Sequence, residues 1–336
     1  MQGRRPARAA PRDLPPAPAI IEYEPDPYIR QYAVQEPFLY EEVENAQLFV
    51  SISDVSSLKQ DRIRVAGLWF DDSDPDPLEH RWRYTQHIEN NAAKNYPLLD
   101  VGVGAPLEFH YGGTYQVSTP DSSFNPRAPG GFISSAVLAK DAEGDVRLFV
   151  THYARPAGMS GAEDRVVVQW YVIDANLDNF RVIQNPPVWN PTIITGGRIE
   201  SDGTDDGDCY YPSIGVTRQG VAYIEYTFSN GDTWPEIRRV KLTSDYSAVD
   251  TSVLLKAGPI NRSYEDGVTT PSGDPNDAWA DFSDMQHDPF LCKLWSVHTL
   301  VHELTNEPDP TSPVDMDKRD IWLFENRTRP SASVPT

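Results

Sequence analysis

The chain has 336 residues, with 29 Lys and Arg against 50 Asp and Glu, a formal charge of −21. A field of that sign repels phosphate backbones and anionic lipid, which argues against nucleic-acid and membrane-surface binding. Thirty prolines and twenty-one glycines are scattered along the chain and interrupt nearly every window that would carry a long helix.

Residues 1–34 read as a disordered or extended arm rich in Pro, Ala and Arg. The opening "MQGRRPARAAPRDLPPAPA" has the positive start of a signal peptide without an apolar segment behind it. Within the arm, "AIIEY" (residues 19–23) is a short strand able to add to a neighbour's sheet edge. Residues 35–328 read as one β domain, and 329–336 as a tail. No run of about 18 apolar residues marks a membrane-spanning helix.

Along the β domain, "AQLFVSISDV" and "DRIRVAGLWFDD" pair as strands, and "PLEFHYGGTYQVS" forms a hairpin about a Gly-Gly turn. Residues 84–96, "YTQHIENNAAKNY", are the one candidate for a short helix. Then "FISSAVLAK", the turn "DAEG", "DVRLFVTHYA", "RVVVQWYVID" and "NFRVIQ" make one unit of strands and turns. A second runs "YYPSIGVT", "VAYIEYTFS", "PEIRRVKL" and "TSVLLKAG", and a third "AWADFSDMQHD", "CKLWSVHTLVHE" and "RDIWLFE". Each unit has a short first turn and a longer second loop, and the spacing is roughly 65–75 residues. The pattern predicts an all-β fold, a β-propeller of about five four-stranded antiparallel blades, with six as the alternative count and a β-sandwich as the competing architecture.

The stretch "TFSNGDTW", residues 227–234, has nearly the spacing of the Asp-box turn. Thr227, Gly231, Thr233 and Trp234 match, and Ser229 stands where the aspartate belongs. A second segment, "WADFSDMQHDPFLCKLWSV" (279–297), places Asp281, Phe282, Ser283, Asp288, Pro289 and Trp295 in the order common in secreted bacterial propellers; Ala280 and Leu294 depart from it. On these residues the chain resembles the sialidase-like, Asp-box (BNR-type) β-propeller superfamily, many of whose members have no assigned function. The resemblance implies that the Asp-box turn is structural, with Gly231 at positive φ and Trp234 packed between blades.

A hydrolase of that superfamily would need a Tyr–Glu nucleophile pair, arginines for a carboxylate and an acid/base carboxyl. Tyr223, Glu225, Glu236 and Arg238 are the candidates, all within one blade. "SDGTDDGDCYYP" follows part of a calcium-loop rhythm, with Asp202, Thr204, Asp206 and Asp208 as oxygen donors; Ser213 stands where a bidentate acid would close the loop. Trp189, Tyr210, Tyr211, Trp234 and Trp279 are candidates for stacking on a sugar, with packing between blades as the other reading for Trp234 and Trp279. His298 and His302 stand four apart, a spacing that builds no zinc face on a strand. No Walker loop, Rossmann fingerprint or nucleophile elbow is present, so no nucleotide cofactor is expected. Cys209 and Cys292 either pair or are separate buried thiols.

Three functions follow as expectations. The first is a non-catalytic propeller that binds a glycan or protein partner through one face, in an extracellular or envelope location. The second is a sialidase-like glycoside hydrolase. The third is a structural subunit that self-assembles by docking its N-terminal arm.

Overall fold

Strands form where β-branched and aromatic residues recur at every second position, because that period puts one row of side chains on each face of a sheet. The structure, a computed structural model, describes residues 32–35, 46–53, 62–70, 82–85, 98–100, 107–108, 117–120, 133–156, 165–177, 189, 191–201, 205–258, 283–288, 293–301 and 319–326. Among these residues the regular elements are strands, gathered in four antiparallel sheets with no α-helix.

The first sheet runs β1 (Tyr32–Ala33), β2 (Ala46–Ser53) and β3 (Arg62–Phe70), with β4 (Trp82–Thr85) and β5 (Leu98–Asp100) paired to opposite ends of β3. It therefore begins inside the span expected for the arm. Tyr84 and Thr85 belong to β4, which removes the start of the helix expected at 84–96; the rest of that helix and most of the Gly-Gly hairpin lie outside the described residues. The second sheet contains β6 (Leu107–Glu108), β7 (Ile133–Lys140), β8 (Val146–Pro156), β9 (Val167–Asp174) and β10 (Thr192–Ile199). Its outer strand is "TIITGGRI"; the expected "NFRVIQ" lies outside the described residues. Two glycines hide this strand from propensity reasoning, yet Gly197 has a packing reason. A Cβ there would come within 2.7 Å of Trp170 Cζ2 on β9.

The third sheet is the meander β11 (Asp208–Val216), β12 (Ala222–Ser229), β13 (Glu236–Lys241) and β14 (Val253–Lys256). The fourth is β15 (Asp284–Asp288), β16 (Lys293–Val301) and β17 (Arg319–Asn326). Both reproduce the order read from the sequence.

Alternation decides the core. One face of β11–β13 carries Ile214, Val216, Ile224, Tyr226 and Val240, which pack with Val137, Phe149, Trp170 and Val172 of the second sheet. The opposite face of the second sheet carries Leu138, Leu148, Val150 and Ile173 against Leu48, Val50, Ile63 and Val65 of the first. All are 4% exposed or less, and each full burial of a side chain of this size is worth about 1.5–3 kcal/mol.

The turns lock adjacent sheets. Gly220 takes φ 75° in the β11–β12 turn, and a Cβ there would strike the Asp141–Ala142 backbone of the β7–β8 turn. Tyr246 ties the same two turns: its hydroxyl donates to Gly220 O (2.6 Å) and accepts from Ala142 N (3.1 Å). The 227–234 stretch forms the β12–β13 hairpin as expected, closed by Asn230 N to Thr233 O (3.1 Å) and Thr233 N to Asn230 O (3.3 Å). One expectation fails here. Gly231 lies outside the left-handed region, so its lack of a side chain is not required by φ.

Hydrogen bonds link the β1 segment, β7, β11 and the start of β15 in a circuit. Gln35 N donates to Ala136 O (3.1 Å) and Leu138 N to Gln35 O (2.7 Å), joining the end of the β1 segment to β7. Ser135 Oγ on β7 donates to Ile214 O of β11 (3.4 Å). Ser283 Oγ, just before β15, donates to Tyr211 O of β11 (2.6 Å), and Gln35 Nε2 reaches Asp284 Oδ1 (2.9 Å).

Candidate functional site

A buried ionisable cluster lies where the third sheet meets the fourth. In β12, Tyr223 and Glu225 share one face, and the register sets Ser213 of β11 and Arg239 of β13 directly opposite Glu225. This face packs on β15 and β16 around Gly215, where a Cβ would come within 2.7 Å of Met285 Cγ and 3.1 Å of Leu294 Cδ2. Glu225 is 0% exposed. Its Oε2 accepts from Ser296 Oγ and lies 3.1 Å from His298 Nε2, and its Oε1 lies 3.8 Å from an Arg239 guanidinium nitrogen. Ser296 and His298 are themselves buried. At the rim, Arg239 stacks over Tyr223 with 5.6 Å from its guanidinium carbon to the ring centroid. Sequence reasoning had no signal for Ser296 and His298 as partners of Glu225, since they stand 71 and 73 residues away.

Glu236 and Arg238 belong to the other face. Glu236 pairs in register with Phe228, Arg238 with Tyr226, and both even-numbered partners alternate away from Glu225. Glu236 ion-pairs with Arg238, which lies over the Phe228 ring at 5.4 Å. The four catalytic candidates are thus divided: Tyr223 and Glu225 on one side of the sheet, Glu236 and Arg238 on the other. Two carboxyls on opposite faces cannot flank one glycosidic bond.

The aromatic candidates sit elsewhere than on an open face. Trp189 is 1% exposed and its indole N–H donates to Ala175 O (2.6 Å). Tyr210 is buried, its hydroxyl donating to Ser229 Oγ (3.3 Å), and burial raises its phenol well above the ordinary range. Ser229 therefore turns inward at the place of the Asp-box aspartate. Tyr211, at φ 49° in a bulge of β11, packs edge-on against Tyr153 and Tyr210 at 5.3 and 5.4 Å. These three rings fill the core, because a fully buried ring exposes no face for a sugar. Trp234 is half-buried beside the hairpin, and Trp279 lies outside the described residues.

Of the calcium-loop residues, Asp202 and Thr204 lie outside the described residues. Asp206 ion-pairs with Arg165 (2.9 Å), which also meets Glu200 (3.2 Å). Asp208 is 2% exposed, and its two oxygens accept from Val166 N (2.8 Å) and Ser118 N (2.6 Å). Both described carboxylates therefore tie the third sheet to residues leading into the second. A separate acidic trio, Asp141, Glu143 and Asp145, occupies the β7–β8 turn. Asp141 there accepts the amides of Glu143 and Asp145 (2.9 Å each) and an Arg147 N–H (3.2 Å). Cys209 is buried, its Sγ 3.9 Å from Ser201 O, and Cys292 lies outside the described residues.

One further buried pair escaped the sequence. His152 Nε2 lies 3.1 Å from the Tyr171 hydroxyl, with the rings stacked at 5.6 Å. Burial lowers His152 to about 3 and raises Tyr171 above its ordinary range.

No protein-family model matches the chain, and no curated protein is significantly similar in sequence. Among solved structures, an alpha-L-arabinofuranosidase from Lactobacillus brevis aligns over 84% of this chain and 70% of its own, at 11% identity and a TM-score of 0.31. A superposition that loose fixes neither a fold family nor a chemistry.

Proposed function

We propose that this chain is a non-catalytic binding protein built on a propeller-like ring of sheets. The ring reading is supported by the meander order within the sheets and by the hydrogen-bond circuit that links Gln35, β7, β11 and β15. One observation carries the non-catalytic reading: the register separates Glu225 from Glu236 on opposite faces, and each is engaged by its own partners, Glu225 by Ser296 and His298 and Glu236 by Arg238. A hydrolase would need two such groups converging on one solvent-filled site. Binding through one face remains the function that a rigid all-β body with long connections serves.

Between a glycan and a protein partner, the burial of Trp189, Tyr210 and Tyr211 favours the protein, because sugar recognition leans on exposed ring faces. The charge of −21 favours a basic one, drawn in by the long-range field.

Two measurements on the purified chain test this. Against a panel of aryl glycosides the chain shows no turnover; turnover abolished by Glu225→Gln or Glu236→Gln overturns the reading. Against immobilised basic and acidic proteins, the chain binds members of the basic set with an affinity that falls as salt is raised. Equal or no binding to both sets removes the proposed partner class.

A further inference from the structure

The hairpin turn at 230–233 has chemistry of its own. Asn230–Gly231 is the only Asn-Gly step in the chain. Gly231 and Asp232 are exposed, and Asn230 is half-exposed. The Asn230 side chain is folded back over the following peptide: its Oδ1 accepts from Asp232 N at 2.9 Å. The ring closed by that bond contains both Asn230 Cγ and Gly231 N, and the donated hydrogen bond polarises the side-chain carbonyl toward attack. Gly231 carries no side chain to crowd that nitrogen, and nothing lies within 4 Å of where its Cβ would sit. Orientation of this kind turns an intramolecular attack into a fast step relative to the free amide.

From this geometry we propose that Asn230 is a self-modification site, at which the folded protein converts the amide to aspartyl and isoaspartyl without an enzyme. In the first step Gly231 N loses its proton to solvent base and bonds to Asn230 Cγ. The tetrahedral centre collapses, the Cγ–Nδ2 bond breaks, and ammonia leaves with a proton from solvent, giving a five-membered succinimide. Water then adds to one of its two carbonyls. Opening at one yields the aspartyl chain, and opening at the other leaves the main chain routed through the side-chain carbon as isoaspartyl. The net change is one water consumed and one ammonia released, with no redox step.

The conversion alters a junction as well as a residue. Asn230 Nδ2 donates to Asp206 O (3.3 Å), and Asp206 pairs with Arg165 at the entry to β9. Both products lose that donor and carry a new carboxylate beside the exposed acids Asp206 and Asp232; in the aspartyl product it faces the carbonyl directly. The turn thereby loses its side-chain link to the junction between the second and third sheets and gains like-charge repulsion.

The test is incubation of the folded full-length protein in mildly alkaline buffer, followed by tryptic mapping. The peptide Gln219–Arg238 has Asn230 as its only asparagine, so a mass gain of one amide-to-acid exchange reports on this position alone. Two product peaks are expected to accumulate with time, one co-eluting with the peptide from Asn230→Asp and the other a substrate for isoaspartyl methyltransferase. Gly231→Ala slows both by roughly an order of magnitude, since a methyl group hinders the attacking nitrogen. The space around Gly231 and its ordinary φ accept that side chain, so the variant folds. A peptide whose mass stays unchanged while asparagines elsewhere convert overturns the proposal, as does Gly231→Ala converting at the wild-type rate.

Discussion

Replacing Glu225 with alanine tests whether the third and fourth sheets meet through a dry polar core. The carboxylate is 0% exposed and holds Ser296 and His298, so its removal takes the acceptor from the buried Ser296 hydroxyl and this contact from the buried His298. Each such loss costs about 1–3 kcal/mol. The Arg239 contact, at 3.8 Å and with that side chain 24% exposed, adds less than about 1 kcal/mol after solvent screening. These terms sum to a destabilisation of about 2–7 kcal/mol, which brackets the roughly 3–5 kcal/mol for breaking a buried pair from one side. Urea unfolding of the full chain at neutral pH reads this as a lowered midpoint. His298→Ala alone and the double variant complete a cycle with a coupling of about 1–3 kcal/mol. A Glu225→Ala protein within about 0.5 kcal/mol of wild type, or strictly additive substitutions, would refute the reasoning, because a wet interface supplies replacement partners.

Other outcomes follow from the same structure. His152 is held neutral by burial, its folded value of about 3 lying below the unfolded 6.5. The unfolded chain therefore binds the extra proton first, and stability present above 6.5 is lost as pH falls toward 3, at up to about 1.4 kcal/mol per unit. His152→Phe flattens the acid limb of a melting-versus-pH curve in that window; an unchanged limb assigns it to other groups. Gly215→Val overpacks the contact with Met285 and Leu294 and costs about 1–3 kcal/mol by denaturant titration, whereas Gly231→Val, in open space, leaves the midpoint nearly unchanged. Chelation by EDTA leaves the melting curve in place, since Arg165 and two backbone amides satisfy Asp206 and Asp208. A fall on chelation would place a cation on the loop with Asp202 and Thr204.

What could be read from the sequence alone was whatever depends on near neighbours. The period-2 pattern of "VAYIEYTFS" and "PEIRRVKL" set β12 and β13, and "SNGDTW" set the hairpin between them, because pleat and turn chemistry act over a few residues. The glycine-bearing β10 was invisible to propensity, since its reason is the Trp170 ring brought up from a neighbouring strand. The fate of the polar and aromatic side chains was likewise decided by packing. Alternation alone gave Glu225 and Tyr223 a common face, but only the fourth sheet, bringing Ser296 and His298 across more than 70 residues, turned that face into a buried junction. Tyr210 and Tyr211 look the same in sequence whether they serve a ligand or a core. The second sheet closed over them, and burial of apolar area against that sheet chose the core.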